Sequence, residues 1–317
     1  MLRLFKITDG LIQELDVPDE EQQSNLANAD WIDAHEADER ERALLQGLLH
    51  IHVPEFDEVE EIETSARCFV DQAGIHVHAL FLTHSDGRHK TVSAACILQK
   101  NCLITIREGY FADFELLRMR ARRGQVEARS PSELLVTLFD QKMENHADTL
   151  EDLHRQLEAV SHMVLEDKEA ELDEAISKLA RLEDSNGKVR LCLMDTQRNI
   201  SFLLRHLLHQ PEHLETLRAI MRDIEALMSH TTFLFDKINF LMDSTQGFIN
   251  MEQNQTIKTF SIAAVVFLPP TLVASIYGMN FDYMPELKWL LGYPGAIGLM
   301  ILSGISPYWY FKRKGWL

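Results

Sequence analysis

The sequence is poor in cysteine, and nothing in its spacing pairs the few that exist. Cys68, Cys96, Cys102 and Cys192 form no Cys-x-x-Cys, so a zinc site is unsupported. They read as reduced, mostly buried thiols. Met1 to Gly10 hold neither a long apolar run nor a small-residue cleavage site, so no secretory leader is expected there. The chain ahead of its C-terminal apolar runs is then expected to stay on the side where it is made. Basic residues are scarce, with 31 Lys and Arg against 49 acids and a net charge of −18. That balance argues against a nucleic-acid grip, which needs a basic surface. It suits the attraction of cations, although acidity also serves plain solubility. A phosphate-binding glycine loop and a nucleophile elbow are both missing. The acids and histidines show no spacing that assigns acid, base or nucleophile, so an enzyme is not expected.

What is present divides by texture. With 317 residues the chain has room for about two units. Residues 1–130 read as a cytoplasmic α/β domain. Glu36 to Leu49 is a charged helix candidate. Strand-like runs lie at Arg67–Val70, Ile75–Leu82, Thr91–Leu98 and Cys102–Arg107, rich in Val, Ile and Thr. Four strands plus helices are expected. His76, His78, His84 and His89 fall in this region and fit a solvated hairpin face better than a metal site. Residues 131–210 hold long cytoplasmic helices: 133–208 contain no proline and one glycine, Gly187, with a break expected near Glu166–Glu171. From Pro211 a stalk helix begins. Residues 212–268 are free of proline, which at ~1.5 Å per residue allows roughly 85 Å of helix. Its apolar positions step by three and four through Leu217, Ile220, Ile224, Leu227, Thr231, Leu234, Ile238, Leu241, Thr245 and Phe248. This pattern signals a bundle or coiled coil, and association between chains is expected.

Two charge-free runs follow, 259–281 and 289–311, each long enough to cross a bilayer core of ~20 residues. The intervening loop, 282–288, makes them a tight hairpin. Tyr277, Phe281, Tyr283 and Trp289 gather at one end and Tyr308, Trp309 and Tyr310 at the other, as in interfacial belts. The tail 312–317 carries Lys312, Arg313 and Lys314, and Lys258 precedes the first run, so both termini are expected in the cytoplasm. The first run is more than an anchor by pattern. Asn254, Ile257, Ser261, Ala264, Leu268, Thr271 and Ser275 lie on one helical face that mixes hydroxyls, an amide and apolar groups. Polar groups facing lipid are costly, so this face is expected to line a pore or a helix contact. Pro269-Pro270 is expected to break helix hydrogen bonds and bend the segment.

At the outer end stands Tyr277-Gly278-Met279-Asn280-Phe281, followed by Met284-Pro285-Glu286-Leu287. These residues, with the short gap and basic tail, resemble the CorA family of magnesium channels. The resemblance is strong from Glu252 to Leu317 and looks continuous through Arg190-Leu191-Cys192-Leu193-Met194-Asp195-Thr196-Gln197. It implies an α+β membrane protein built as a homopentameric funnel in the inner membrane, with first spans around a central pore. It implies a selectivity ring of Gly278, Met279 and Asn280, with Asn280 meeting hydrated Mg2+. Asn254 would mark the inner pore end and Leu268 a hydrophobic constriction. Asp282 and Glu286 would concentrate cations at the entrance, and Asp223 is a regulatory ligand candidate beside the reading of a solvated stalk acid. The expected partners are copies of the chain, the bilayer and divalent cations. No cofactor is expected; Mg2+ is both cargo and regulator, with Co2+ and Ni2+ as further cargo. A zinc transporter of the same superfamily, and a membrane-tethered coiled-coil scaffold that conducts nothing, are the alternatives.

Overall fold

A computed structural model describes residues 1–15, 26–49, 67–85, 87–166, 171–207, 211–280 and 284–315. Contacts cluster into two units, Met1–Met242 and Asp243–Leu317. In the first, seven described strands form one sheet: β1 (Leu2–Thr8), β2 (Leu11–Leu15), β3 (Trp31–His35), β4 (Cys68–Val70), β5 (Ile75–Ser85), β6 (Arg88–Leu98) and β7 (Leu103–Arg107), in the order β2-β1-β3-β7-β6-β5-β4. All neighbours are antiparallel except β3 and β7, which run parallel. The three strands beyond the expected four are β1, β2 and β3. The first two are joined at Asp9-Gly10, both at positive φ (52° and 83°), a two-residue turn whose Asp-Gly pair favours a hairpin.

The sheet is buried on both faces, as its period-two alternation requires. Ile32, Ala34, Ala95, Ile97, Ile104 and Ile106 pack on one side with Leu45. That leucine belongs to α1 (Glu39–Leu49), which starts three residues later than expected. Asp38 caps it reciprocally with Glu41: the Asp38 carboxylate accepts from Glu41 N at 2.7 Å, and Glu41 Oε2 accepts from Asp38 N at 3.1 Å. Trp31, Val77, Phe81, Cys96 and Leu103 face the other side, where α2 (Ala112–Arg122), α3 (Pro131–Leu165) and α4 (Leu172–His206) contribute to the same core. Asp33 on β3 and Arg107 on β7, both buried, pair through two bonds of 3.1 and 2.9 Å, and Thr105 donates to the same carboxylate at 2.9 Å. Full pairing makes such a buried charge tolerable and penalises other strand registers.

The helices begin and stop for local reasons. Ser130 caps α3 by accepting from Glu133 N at 3.2 Å, Pro131 occupies the first turn, and Glu133 reaches back to Arg129 N at 2.6 Å. The interval between α3 and α4 falls at the expected break. In α4, Asp195 accepts from Arg67 Nη1 at 3.0 Å, Leu80 N at 2.8 Å and Asn199 Nδ2 at 3.0 Å, tying helix to sheet. Helix α5 (Pro211–Tyr277) runs on through both prolines, so the local hydrogen bonds expected to break at Pro269-Pro270 are lost without ending the helix. Two main-chain donors are still lost there.

Two expectations are corrected. The 3-4 spacing of α5 predicts association between chains, yet Leu217, Ile220, Ile224, Leu234, Ile238 and Leu241 are buried in this chain's own core. The spacing tells that a face is covered, not by what; here α3 and α4 cover it. Ser132 of α3 bonds His213 at 3.1 Å, and Asn186 of α4 donates to the Thr231 carbonyl at 2.9 Å. The sequence predicts a solvated face for the four histidines, but His76 and His78 are buried, His89 is half-buried and only His84 is exposed. Phe69 stacks on His76 at 4.3 Å and meets His78 edge-on at 6.0 Å, and Asp71 sits 2.9 Å from His76 Nε2, so one phenylalanine covers both imidazoles and a carboxylate pairs the first.

Candidate permeation site

In the second unit the end of α5 packs beside α6 (Gly292–Arg313). On α5 the half-buried positions are Ile262, Ala263, Val266, Pro269, Pro270 and Val273. On α6 Gly292, Met300, Ser303, Gly304, Pro307 and Phe311 form a half-buried stripe with the buried Ala296, and Gly298 is half-buried off that stripe. Both sets step by three and four, and small residues let the backbones approach. The contact is close at Gly304: a Cβ there would lie 3.3 Å from Pro270 Cγ and 3.7 Å from the Val266 carbonyl oxygen.

The expected pore face lies elsewhere on α5. Asn254, Ile257, Ser261, Ala264, Leu268, Thr271 and Ser275 are all exposed, and on a helix of 3.6 residues per turn they centre about half a turn from the α6-facing stripe. Ile257 and Leu268 are 62% and 66% exposed, unusual for apolar side chains whose own chain offers a partner helix. The face is therefore not held by α6. Thr271 Oγ1 donates to the Phe267 carbonyl at 2.7 Å, which spends its proton locally and leaves the hydroxyl oxygen facing outward as an acceptor. Large apolar residues flank the face, Phe260 and Phe267 on one edge, Val265, Leu272 and Ile276 on the other, all exposed.

The helix then tightens toward the motif. Gly278 N donates to the Ala274 carbonyl at 2.9 Å and Met279 N to the Ile276 carbonyl at 3.3 Å. A Cβ on Gly278 would stand 3.1 Å from the Ala274 oxygen, so a side chain would crowd this turn. Met279 and Asn280 are exposed, and the Asn280 carboxamide makes no hydrogen bond among the described residues. Asp282 lies outside the described residues. Glu286 is exposed in a 3-10 turn, Pro285–Lys288, and its carbonyl accepts from Trp289 N at 3.3 Å. Gly292 permits that turn, because a Cβ there would sit 2.3 Å from the Glu286 carbonyl oxygen.

Asp223 lies near the start of α5, in the first unit, and is exposed. It faces acids: burial first, then Glu144 and Asp223, push the Asp140 carboxyl up. Glu144 is held by Arg120 at 2.8 Å. Among the described residues no group of three His, Cys, Asp or Glu is arranged to hold a metal ion. One described helix, within His213–Tyr277, is long and apolar enough to cross a membrane.

The CorA-like Mg2+ transporter protein family matches residues 27–313. The chain belongs to that family. It is 48% identical to "Magnesium transport protein CorA" of Escherichia coli (strain K12) over 319 aligned positions, which cover 100% of both chains. The counterpart from Salmonella typhimurium (strain LT2) is equally similar, 48% over 100% of each. Among solved structures, the complete CorA magnesium transporter from Methanocaldococcus jannaschii matches with a TM-score of 0.78 at 20% identity, covering 100% of this chain and 99% of that one. The full-length CmaX protein matches with a TM-score of 0.72 at 18% identity, covering 98% and 96%. At these identities the structural likeness is one of fold, whereas the CorA relatives align from end to end in sequence.

Proposed function

We propose that this chain is one subunit of a homopentameric channel that admits Mg2+ through the inner membrane, with α5 lining the pore. The observation that carries the reading is the exposed face from Asn254 to Ser275, turned away from α6 and ending at Asn280 with its free carboxamide. A ring of copies gives that face water and gives the flanking phenylalanines, leucine and isoleucine a protein or lipid surface. In this reading 259–281 and 289–311 both span the bilayer, joined outside by 282–288, with both termini cytoplasmic. The end-to-end likeness to magnesium transport proteins supports magnesium as cargo.

The chemistry fits a hydrated ion. Mg2+ sheds water reluctantly, so a ring of neutral oxygens can hold it through its waters. The Asn280 carbonyl and the Gly278 main-chain carbonyl supply such acceptors. A carboxylate ring in their place would slow release, and conduction requires binding weak enough to leave. Asp282 and Glu286 raise the local cation concentration at the mouth. An inside-negative potential drives entry: one charge across 100 mV is worth ~2.3 kcal/mol, and a divalent ion gains about twice that. Leu268 and Ile257 form apolar rings that close by dewetting, and Mg2+ at the cytoplasmic domains favours the closed state. Co2+ and Ni2+, of similar hydrated size, pass as well.

The test is Mg2+ flux into proteoliposomes holding a fluorescent indicator, with and without an inside-negative potential. Flux that grows with the potential and needs no nucleotide is expected. Asn280→Ala is expected to assemble normally yet lose selective flux; normal selectivity in that variant defeats the filter assignment. No flux from assembled wild-type protein at low cytoplasmic-side Mg2+ defeats the channel.

A further inference from the structure

The chain is strongly acidic, but one spot on its first unit is the reverse. Arg118-Met119-Arg120-Ala121-Arg122-Arg123 ends α2, and four guanidinium groups, those of Arg3, Arg118, Arg122 and Arg123, line a cavity of about 220 Å³ with Glu115 and Met119. Basic residues commonly close a helix C-terminus, where they complement its dipole. That accounts for one or two charges, not for a cluster that also draws Arg3 from β1.

The partners present do not exhaust these groups. Arg122 pairs with Glu14, and Arg118 pairs with Glu115 through Nη2. Among the described residues the Arg3 guanidinium bonds only the Met1 sulfur, at 3.8 Å, a weak acceptor. Arg123, exposed at the helix end, has no side-chain bond among the described residues. Four guanidinium groups against two carboxylates leave a local excess of two positive charges. The sharpest observation is at Arg118. It is 3% exposed, and its buried Nε and Nη1 have no acceptor among the described residues. Arginine stays ionised in proteins, so this side chain cannot escape by losing its proton, and unmet charged donors in a buried place are costly. Once the Arg118 guanidinium turns toward the cavity, an acceptor with several oxygens answers the deficit.

We propose that this arginine-lined cavity is a binding site for a compact, metal-free phosphate group of the pyrophosphate type. A phosphate matches the planar fork of arginine through paired hydrogen bonds. The local positive excess suits a polyanion such as metal-free pyrophosphate. The volume admits phosphate groups and lies below the ~300 Å³ at which pockets for whole organic ligands begin, so a nucleoside attached to the phosphate stays outside. Coordination to Mg2+ neutralises the same oxygens and weakens the site's hold, so it reads metal-free phosphate. The inference stands apart from the pore.

The experiment is isothermal titration of the full-length chain in detergent with sodium pyrophosphate, in EDTA at fixed salt. One pyrophosphate is expected to bind per chain with a Kd below about 1 mM. The Arg3→Gln, Arg123→Gln double variant changes only partly or fully exposed side chains, so folding is preserved, and affinity is expected to fall at least about tenfold. Excess Mg2+ is expected to weaken wild-type binding. Absence of binding up to 10 mM on the order of magnitude of non-specific ion contact, or unchanged affinity in the double variant, overturns the site. ATP in EDTA is the second probe: affinity close to that of pyrophosphate supports a phosphate-only site, and binding more than tenfold tighter overturns that assignment.

Discussion

His146 should make the first unit acid-labile by an amount the structure allows one to work out. It lies on α3 with no exposure, and neither ring nitrogen has a hydrogen-bond partner among the described residues. Burial, with Lys142 nearby adding to it, pushes its pKa from 6.5 down to about 3. The folded value is below the unfolded one, so the unfolded chain binds the extra proton. Stability from this group is therefore full above pH 6.5 and is lost as pH falls toward 3. At about 1.4 kcal/mol per pH unit, a drop from pH 6.5 to 5 costs about 2 kcal/mol. His146→Leu removes the titration while filling a similar volume. The assay is urea unfolding of the detergent-solubilised chain at pH 8, 6.5 and 5, followed through Trp31, buried in the sheet core and stacked on Phe5 at 4.3 Å. Comparing variant with wild type cancels every other titrating group. The wild type should lose about 2 kcal/mol more than the variant between pH 6.5 and 5. Parallel profiles, within about 0.5 kcal/mol, would refute the reasoning.

Asp113 should show the opposite sign: burial raises its carboxyl to about 6 despite the pull of Lys142 and a hydrogen bond from Asn145 at 3.1 Å. Its ionisation penalty is full above pH 6 and fades toward pH 4, so Asp113→Asn should stabilise by up to about 3 kcal/mol at pH 8 and by little at pH 4, read from the same urea curves. Leu268→Ser should raise basal Mg2+ leak in liposomes, because a hydroxyl ring rewets the constriction; an unchanged leak removes Leu268 as the gate. Gly304→Val should lower the thermal stability of the solubilised protein by about 1–3 kcal/mol, since its side chain meets Pro270, while Gly304→Ala should cost less.

Much of the local architecture was legible in single residues. The start of α3 is written in Ser130-Pro131-Ser132-Glu133, where cap, ring and reciprocal acid agree. The family was legible in Tyr277-Gly278-Met279-Asn280 and its surroundings, because few alternatives combine that motif with two charge-free runs. The Asp9-Gly10 turn is a hairpin signal, but its flanking strands of seven and five residues carry little periodicity to support it. Burial of His76 and His78 was not legible, since an imidazole is polar by type yet packs as a flat ring once a phenylalanine covers it. Nor was the owner of the α5 stripe, because Leu217 to Leu241 look the same whether the covering helices come from one chain or several. At the membrane end, Gly278, Gly292 and Gly304 became intelligible only with coordinates, each by the atom its missing side chain would strike.

The four cysteines have a practical consequence. Thiolate is the form that reacts with alkylating probes, and burial lifts Cys96, Cys102 and Cys192 to about 12 and Cys68 to about 11. Near neutral pH, fewer than about one in a thousand of any of them is reactive at a given moment. The native chain is thus already a silent background for site-directed labelling. Single cysteines can be introduced one at a time at Asn254, Ser261, Leu268 or Ser275, and their water accessibility read in the bilayer without first stripping the protein of its own sulfur.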